Sequence, residues 1–239
     1  MSDQRPLRDA LVIMAREPVA GRAKTRLIPA LGAEGAAQIF CAFVTDRLSA
    51  HQQSHQQTAL YIAHTPARAP LLSGLVSRYG PRFKMLQQRG EDLIERMDSI
   101  FDTLFDAGHQ AVVMTNCDSP QLPLALIDLA FERLSEAEAI VLGPDLGGGY
   151  YLVGLNRPCK GLFGAADGKG SSYERTLRFA GSTGRPVYEL EAQLDVDRPE
   201  DLKALRTLLS QPDSPNLAAT RSFLFEESSV TLPRDRSTQ

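Results

Sequence analysis

The stretch LVIMAREPVAGRAKTRLIPALG, from Leu11 to Gly32, combines three features that together predict the fold. Its first residues, Leu11 to Met14, form a short apolar run that is typical of a buried strand. A basic loop follows, and a helix is predicted to begin near Gly32. A strand, a basic loop and a helix in this order predict a phosphate-binding site, because free backbone N–H groups and fixed cations converge there on an anion.

The loop between this strand and this helix is rich in cations. It carries one acid, Glu17, and Gly21, Pro18 and Pro29 favour non-helical turns in it. The same composition could belong to an ordinary solvated loop. Its position directly after the first strand favours ligand binding, since open α/β sheets bind ligands at the carboxyl ends of their strands. The cations of the loop are Arg16, Arg22, Lys24 and Arg26.

Although Lys24-Thr25 imitates the end of a P-loop, the segment is not one. Ala23 stands where that motif requires a glycine, and the upstream glycine is also missing.

Length and composition limit the possible domain organisation and the kind of partner. With 239 residues, 43% hydrophobic and 23% charged, the chain is predicted to form one domain, residues 1–210, followed by a loosely ordered C-terminal tail, residues 211–239. The net charge of −3 argues against a surface that binds nucleic acid. The basic loop is therefore expected to meet a small anion.

The three cysteines are far apart and form no CxxC pair, so neither a disulfide framework nor a zinc knuckle is expected. A reducing cytoplasm is the simplest location.

The N-terminus lacks the apolar segment of a signal peptide. No apolar run approaches the roughly 20 residues that span a bilayer, so no membrane partner is predicted. Whether the chain is a monomer or a homodimer stays open.

Strand and helix patterns alternate from Leu11 to about Leu209. This alternation predicts a three-layer α/β/α sandwich with a mostly parallel central sheet. The basic loop, Asp118 and the glycines of residues 147–149 all follow predicted strands, so they are expected at one edge of the sheet. The clearest further strands are predicted at residues 58–63, 111–115, 139–143 and 150–155.

Asp118 is the principal candidate for metal binding. It follows the apolar strand AVVMT in the segment NCDSPQLP. An aspartate at the end of a central strand, facing a phosphate loop, suits Mg²⁺, which usually takes one or two carboxylates and completes its shell with phosphate and water. Mn²⁺ is the alternative ion. The competing interpretation is that Asp118 only caps the helix that follows.

Three further acids are weaker metal candidates. Asp195 and Asp197 form a D-x-D pair whose side chains point to one side of an extended segment. Asp197 is also expected to act as N-cap of the helix that begins at Arg198-Pro199. Asp145 follows a strand, and its alternative is an ordinary surface-turn residue.

The glycine run and the tyrosines after it are candidates for contact with a ligand. Gly148 and Gly149 would let the backbone approach a ligand closely. Tyr150 and Tyr151 could stack on a sugar or a base, although adjacent residues at a strand start are more often one core residue and one exposed residue.

The chain resembles the GT-A superfamily of nucleotide-dependent transferases, which has the nucleotide-diphospho-sugar transferase fold. It is most similar to a bacterial family of small glycosyltransferase-like proteins, and more weakly to 2-phospho-lactate guanylyltransferase and the molybdenum-cofactor nucleotidyltransferases. The similarity covers roughly residues 11–205. The motifs that carry it are REPVAGRAKTRL, GEDLIERM, DSPQLP, GGYYLVGL and DVDRPEDL, in the expected order.

This resemblance implies that Arg16, Lys24 and Arg26 contact the donor phosphates and that Asp118 holds a divalent metal. It also implies that the GGYY segment lines the acceptor side and that DVDRPEDL lies near the site. Ala15, Gly21 and Arg22 complete the predicted nucleotide site. Two departures from the family pattern concern the acceptor side, where Gly147 replaces an acid and GKGSSYERT replaces a Trp-containing segment.

Three functions follow as hypotheses. The first is metal-dependent nucleotidyl transfer from a nucleoside triphosphate to a small phosphorylated acceptor, with Lys24, Arg26 and Asp118 as catalytic residues. The second is glycosyl transfer from a nucleotide-sugar by the same fold. The third is a degenerate protein that binds a nucleotide or a partner without turnover, which Gly147 motivates.

Overall fold

We describe residues 8–52, 54, 57–164 and 169–225 in a computed structural model of the protein. Within these ranges, seven strands form one sheet in the order β3-β2-β1-β4-β6-β5-β7. β6 is antiparallel to both of its neighbours, whereas the other pairs are parallel. The strands are β1 (Asp9–Arg16), β2 (Thr58–Thr65), β3 (Phe83–Gln87), β4 (Ala111–Asn116), β5 (Ile140–Pro144), β6 (Tyr150–Leu155) and β7 (Val187–Glu189).

Helices cover both faces of the sheet, which confirms the three-layer sandwich and the mostly parallel sheet. Because side chains alternate along a strand, Leu11 and Ile13 lie in one core and Val12 lies in the other. The first core contains residues of α1, α2, α4 and α6, and the second contains residues of α3 and α5. The helices are α1 (Ile28–Gln52), α2 (Pro70–Ser77), α3 (Leu93–Asp106), α4 (Leu124–Glu136), α5 (Ser172–Ser182), α6 (Pro199–Leu209) and α7 (Ala218–Phe225).

The start of α1 differs from the prediction. The helix begins at Ile28 rather than near Gly32, and a short 3-10 turn, Thr25–Leu27, precedes it. Pro29 therefore lies in the first helical turn, where its missing N–H costs little, and not in a non-helical loop. Gly32 has φ 70° and ψ 170° and interrupts the helix with a kink, which explains why the sequence pattern suggests a boundary there.

The segment Thr25–Gln52 is long and apolar enough, by length and composition alone, to cross a membrane. This differs from the expectation that no such run exists. The structure places Ile39, Phe43 and Leu48 of α1 in the core against the sheet, with no more than 1% of each residue exposed. Burial inside the fold accounts for the apolar character of this helix.

The C-terminal tail is more ordered than the sequence indicates. Leu217 belongs to the core, and α7 packs on α1. The buried carboxylate of Asp46 accepts hydrogen bonds from the backbone N–H groups of Ala219 (3.0 Å) and Thr220 (2.9 Å), so a residue of α1 caps α7. The prediction of a loose tail from residue 211 is therefore wrong up to Phe225, and residues 226–239 lie outside the described residues.

Candidate active site

The register of the sheet brings the basic loop next to the Asp118 turn. β1 and β4 are parallel neighbours in which Met14 pairs with Asn116, so the segments that follow them leave the sheet side by side. β6 runs the opposite way and pairs Leu152 with Thr115, which puts Tyr150 at the same edge. Three segments far apart in sequence therefore surround one cavity.

This cavity has a volume of about 470 Å³, within the range of roughly 300–1,000 Å³ that is usual for small-molecule sites. Of the predicted nucleotide-binding residues, all but Gly21 line it, and Asp118 and Asp197 line it as well. The lining residues that the sequence predicts are Ala15, Arg16, Arg22, Lys24, Arg26, Asp118, Tyr150, Tyr151 and Asp197.

Lys24 connects the basic loop to two other segments. Its Nζ lies 2.7 Å from Asp118 Oδ1, donates to the carbonyl oxygen of Val196 at 2.6 Å, and lies 3.9 Å from Asp197 Oδ1. Only 4% of its side chain is exposed. Among the described residues, Lys24 is the sole non-glycine residue with positive φ, at φ 45° and ψ 46°. A strained backbone of this kind is concentrated at functional sites.

The arginines of the loop differ in their partners within the protein. Arg26 Nη1 pairs with Asp197 Oδ2, while 63% of the Arg26 side chain remains exposed. Arg16 Nη1 donates to the carbonyl oxygen of Arg22 at 3.3 Å, and both residues are exposed. These exposed guanidinium groups carry charge that an anion entering the cavity can reach.

Asn116 shapes the turn that carries Asp118, and the sequence analysis missed this residue. Its Oδ1 accepts from the N–H groups of Asp118 and Ser119, each at 3.2 Å, while its Nδ2 donates to Asp195 Oδ1 at 3.2 Å. An Asn that closes a turn two residues on is a common pattern, so its position at a strand end was an available signal. The N-cap of α4 is Pro123, which excludes the capping role for Asp118.

Asp195 lies beside this turn. Burial, and to a smaller extent the negative charge of Asp118, raise the pKa of its carboxyl to about 7 against the opposing effect of Lys24. The backbone next to it is tied to the turn, because Val196 N donates to the carbonyl oxygen of Asp118 at 2.8 Å. Asn116 therefore links the two acids, because its side chain hydrogen-bonds both to the carboxylate of Asp195 and to the backbone N–H of Asp118.

We expect the titration of Asp195 to reduce stability as the pH rises. The raised pKa means that the folded protein keeps a proton that the unfolded chain, with a carboxyl pKa of about 3.9, has already lost. The free energy of unfolding should therefore fall between about pH 4 and pH 7. Asp195→Asn should remove this contribution, so urea unfolding without divalent cations should favour the variant more at about pH 8 than at about pH 5. A constant difference would contradict the assignment.

Asp197 is not the N-cap of α6. That position is Arg198, and the carboxylate that closes the helix start belongs to Asp201, whose Oδ2 accepts from the N–H groups of Asp197 (3.1 Å) and Arg198 (2.7 Å). The Asp197 side chain instead faces Arg26 and Lys24. The Asp197 carboxylate is therefore not used as a helix cap, and Asp197 lines the cavity.

Asp145 stabilises its own loop and does not line the cavity. Its Oδ1 accepts from the N–H groups of Gly147 and Gly149, each at 2.8 Å, which matches the surface-turn interpretation. The Gly148 carbonyl oxygen accepts from Tyr173 N at 3.1 Å and thereby joins the loop to α5. The predicted acceptor residues Gly148 and Gly149 likewise lie outside the cavity lining.

The two tyrosines have different roles. Tyr151 is 1% exposed, and its hydroxyl donates to the Glu191 carbonyl oxygen at 3.1 Å, so its ring cannot stack on a ligand as predicted. Tyr150 is half-buried and lies against Met97, with its hydroxyl 3.7 Å from the sulfur. Burial raises the pKa of Tyr150 to about 12. Only Tyr150 stays available as an acceptor contact.

Gly143 allows Tyr151 to occupy the core. A Cβ at position 143 would lie 2.5 Å from Tyr151 Cζ. We expect Gly143→Ala to lower the free energy of unfolding by about 1–3 kcal/mol, because the anchored ring cannot move away. Gly74→Ala, in α2 with no atom within 4 Å of the new Cβ, is the matched control and should stabilise by about 0.5–1 kcal/mol. Urea unfolding measures both, and equal effects would contradict the packing argument.

The carboxylates of the site fit a hard divalent cation. Asp118 and Asp197 both face the ammonium group of Lys24, so the position between them already attracts positive charge. Their oxygens are the ligand type that Mg²⁺ and Mn²⁺ accept. Among the described residues no three His, Cys, Asp or Glu side chains form a ready metal site, so ligand oxygens and water would have to complete the shell.

Residues 48–167, half of the chain, match the family described as "Uncharacterized protein conserved in bacteria (DUF2064)". No curated protein matches the sequence. A solved structure from Desulfovibrio desulfuricans G20, described as a "putative nucleotide-diphospho-sugar transferase", is 29% identical, with a TM-score of 0.78 over 90% of this chain and 94% of that one.

Two more distant structures share the fold. A cytidylyltransferase from Leptospira borgpetersenii is 14% identical, with a TM-score of 0.53 over 85% of this chain and 87% of that one. A 4-diphosphocytidyl-2C-methyl-D-erythritol synthase from Anaerococcus prevotii is 9% identical, with a TM-score of 0.56 over 88% and 100%. The chain therefore belongs to the DUF2064 family of bacterial proteins and has the nucleotide-diphospho-sugar transferase fold, the GT-A type that its motifs predict.

Proposed function

We propose that this protein is a cytoplasmic, metal-dependent nucleotidyltransferase that transfers a nucleotidyl group from a nucleoside triphosphate to a small phosphorylated acceptor. The observation that carries the proposal is the convergence of Lys24, the loop arginines and Asp118 on one cavity at the carboxyl edge of the sheet. The transferase fold of the structural neighbours supports it.

The reaction joins an acceptor phosphate oxygen to the α-phosphorus of the triphosphate. As that P–O bond forms, the bond between the α-phosphorus and the bridging oxygen breaks, and pyrophosphate leaves with the electron pair. No covalent intermediate with the protein is needed. Negative charge grows on the leaving group, so preorganised cations lower the barrier. Lys24, Arg16 and Arg26 are the cations that would face it.

A divalent cation, when bound, would supply further charge neutralisation for the phosphates. Asp118 and Asp197 are the residues that would hold it. Lys24 now occupies the position between them, so its ammonium group would have to turn toward the phosphates when ligand and cation bind. Arg26, which pairs with Asp197, would then keep that carboxylate oriented.

Glycosyl transfer is the second candidate, and the 29% identical structure described as a nucleotide-diphospho-sugar transferase favours it. The leaving group would then be a nucleoside diphosphate in the same cavity. We favour the triphosphate because the loop presents four cations, three of them exposed or largely exposed, to one anion. More charge is needed for a triphosphate than for a diphosphate.

Thermal unfolding with a panel of ligands tests the two candidates directly. Nucleoside triphosphates and nucleotide-sugars would be added singly, with and without Mg²⁺ or Mn²⁺. A ligand at 100 times its dissociation constant stabilises by about 2.7 kcal/mol, which is readily seen. A metal-dependent shift with a triphosphate, followed by pyrophosphate release when phosphorylated acceptors are added, is the expected result. A shift with nucleotide-sugars alone would favour glycosyl transfer, and no shift with any ligand would favour the degenerate, non-catalytic alternative.

A further inference from the structure

The ammonium group of Lys24 lies among three oxygen atoms from two segments that are far from it in the sequence. Its Nζ is 2.7 Å from Asp118 Oδ1, 2.6 Å from the carbonyl oxygen of Val196 and 3.9 Å from Asp197 Oδ1. Carboxylate and carbonyl oxygens are the ligands that hard divalent cations take in proteins. The ammonium group therefore stands where these oxygens would hold a cation.

The charges of the two aspartates are balanced within the protein itself. Lys24 pairs with Asp118, and Arg26 Nη1 pairs with Asp197 Oδ2. A divalent cation that arrives alone therefore meets two carboxylates that already have cationic partners, and it would be repelled by the ammonium group beside them. To reach both carboxylates it would have to displace Lys24.

The oxygen atoms do not depend on Lys24 for their position. Val196 N donates to the carbonyl oxygen of Asp118 at 2.8 Å, which ties the two segments together. Asn116 Oδ1 accepts from the Asp118 N–H at 3.2 Å, and Arg26 holds Asp197. The three oxygens should therefore stay assembled when the ammonium group turns away.

A polyphosphate in the cavity changes the competition for Lys24. Its several negative charges compete with Asp118 for the ammonium group, which is carried on a long, flexible stem and can reorient. Once the ammonium group faces the phosphates, the oxygens of Asp118, Asp197 and Val196 become available together. A cation that already coordinates the phosphates can then be held by them.

We propose that Lys24 occupies the position of the divalent cation in the ligand-free protein and yields it only to a cation that arrives with a polyphosphate. This inference rests on the proposed nucleotidyltransferase site and adds the order in which its ligands bind. Free Mg²⁺ or Mn²⁺ is excluded, and metal and nucleotide enter as one unit. Because coupling between two ligands is reciprocal, the nucleotide gains affinity from the metal to the same extent.

Binding of Mn²⁺ without nucleotide tests the role of Lys24 independently of activity. Electron paramagnetic resonance follows the loss of the free Mn²⁺ signal as the ion binds. Lys24→Met keeps an apolar side chain of similar length and should lower the Kd for Mn²⁺ about 5- to 150-fold relative to the wild type, the usual range of coupling between sites. Because Lys24 has positive φ, which glycine adopts freely, Lys24→Gly is the second variant and should show the same gain. No gain in the folded variants would overturn the proposal.

Two further variants control this measurement. Lys84→Met removes the same charge from β3, outside the cavity lining, and should leave the Kd for Mn²⁺ unchanged. Adding Asp118→Asn to Lys24→Met should reverse the gain, which would assign the bound ion to this site. A gain that persists in the double variant would place the ion elsewhere and overturn the proposal.

Thermal unfolding of the wild type gives a test that needs no variant. Mn²⁺ alone should leave the unfolding temperature unchanged, whereas Mn²⁺ with an α,β-methylene analogue of ATP, CTP, GTP or UTP should raise it. An equal rise with Mn²⁺ alone would overturn the role of Lys24 and leave the triphosphate site standing. If no analogue raises the unfolding temperature, the triphosphate site is overturned instead, and the Mn²⁺ comparison between variants still tests Lys24.

Discussion

Replacing Lys24 with alanine should raise the Kd for the nucleoside triphosphate about 10- to 150-fold. The ammonium group contributes a hydrogen bond to a charged group, worth about 1.5–3 kcal/mol, and each 1.4 kcal/mol is a factor of ten. The measurement is calorimetric titration of the folded variant in the presence of Mg²⁺. Alanine is preferable to glycine, because Lys24 has positive φ and glycine would also relax the backbone.

Lys84→Ala is the matched control for this variant. Lys84 belongs to β3, does not line the cavity, and lies with Nζ 5.7 Å from the ring centroid of Tyr61. Its loss removes the same charge from the protein and should leave nucleotide affinity unchanged. If Lys24→Ala binds as tightly as Lys84→Ala, the loop is not the phosphate site and the exposed arginines have another function.

Asp118→Asn should lower turnover by about 100- to 1,000-fold and abolish the stabilisation by nucleotide that depends on Mg²⁺. An amide is a weaker ligand for a hard cation and carries no charge to hold Lys24 in place. The turn itself should survive, because its hydrogen bonds use the backbone of Asp118: its N–H donates to Asn116 Oδ1 and its carbonyl oxygen accepts from Val196 N. Steady-state pyrophosphate release and thermal unfolding measure the two effects.

Asp106→Asn controls for the loss of one negative charge. Asp106 is the last residue of α3, is exposed, and does not line the cavity. The turnover of the Asp106→Asn variant should match that of the wild type. Full activity of Asp118→Asn, with intact nucleotide binding, would exclude Asp118 from catalysis and leave the cations alone to stabilise the leaving group.

The sequence alone determined the parts of this protein that depend on local patterns. Apolar runs and helical spacing predict the elements from β1 to α6 in their correct order, because side-chain periodicity reports which face is buried. The basic loop after β1 and Asp118 after β4 are also local features, since both stand directly behind an apolar strand. The motifs that resemble the GT-A superfamily added the type of fold to this outline.

Local patterns predict the wrong structure where contacts with a distant segment determine it. The tail is polar and rich in proline, yet α7 docks because Asp46, 173 residues away, caps its N-terminus. Asp197 has the pattern of an N-cap, but the charges of Arg26 and Lys24 hold its carboxylate on the other side, and Asp201 closes the helix instead.

The assembly of the site depends on contacts between segments that are far apart in the sequence. Lys24 meets the carbonyl oxygen of Val196 across 172 residues, and Gln88 meets that of Ala15 across 73. Such contacts depend on the order of strands in the sheet and on the reversal of β6, which no local period encodes. The sequence determined which charged groups this protein has, and the packing of the sheet decided which of them face one another, because long-range pairing is set by the burial of whole elements rather than by neighbouring residues.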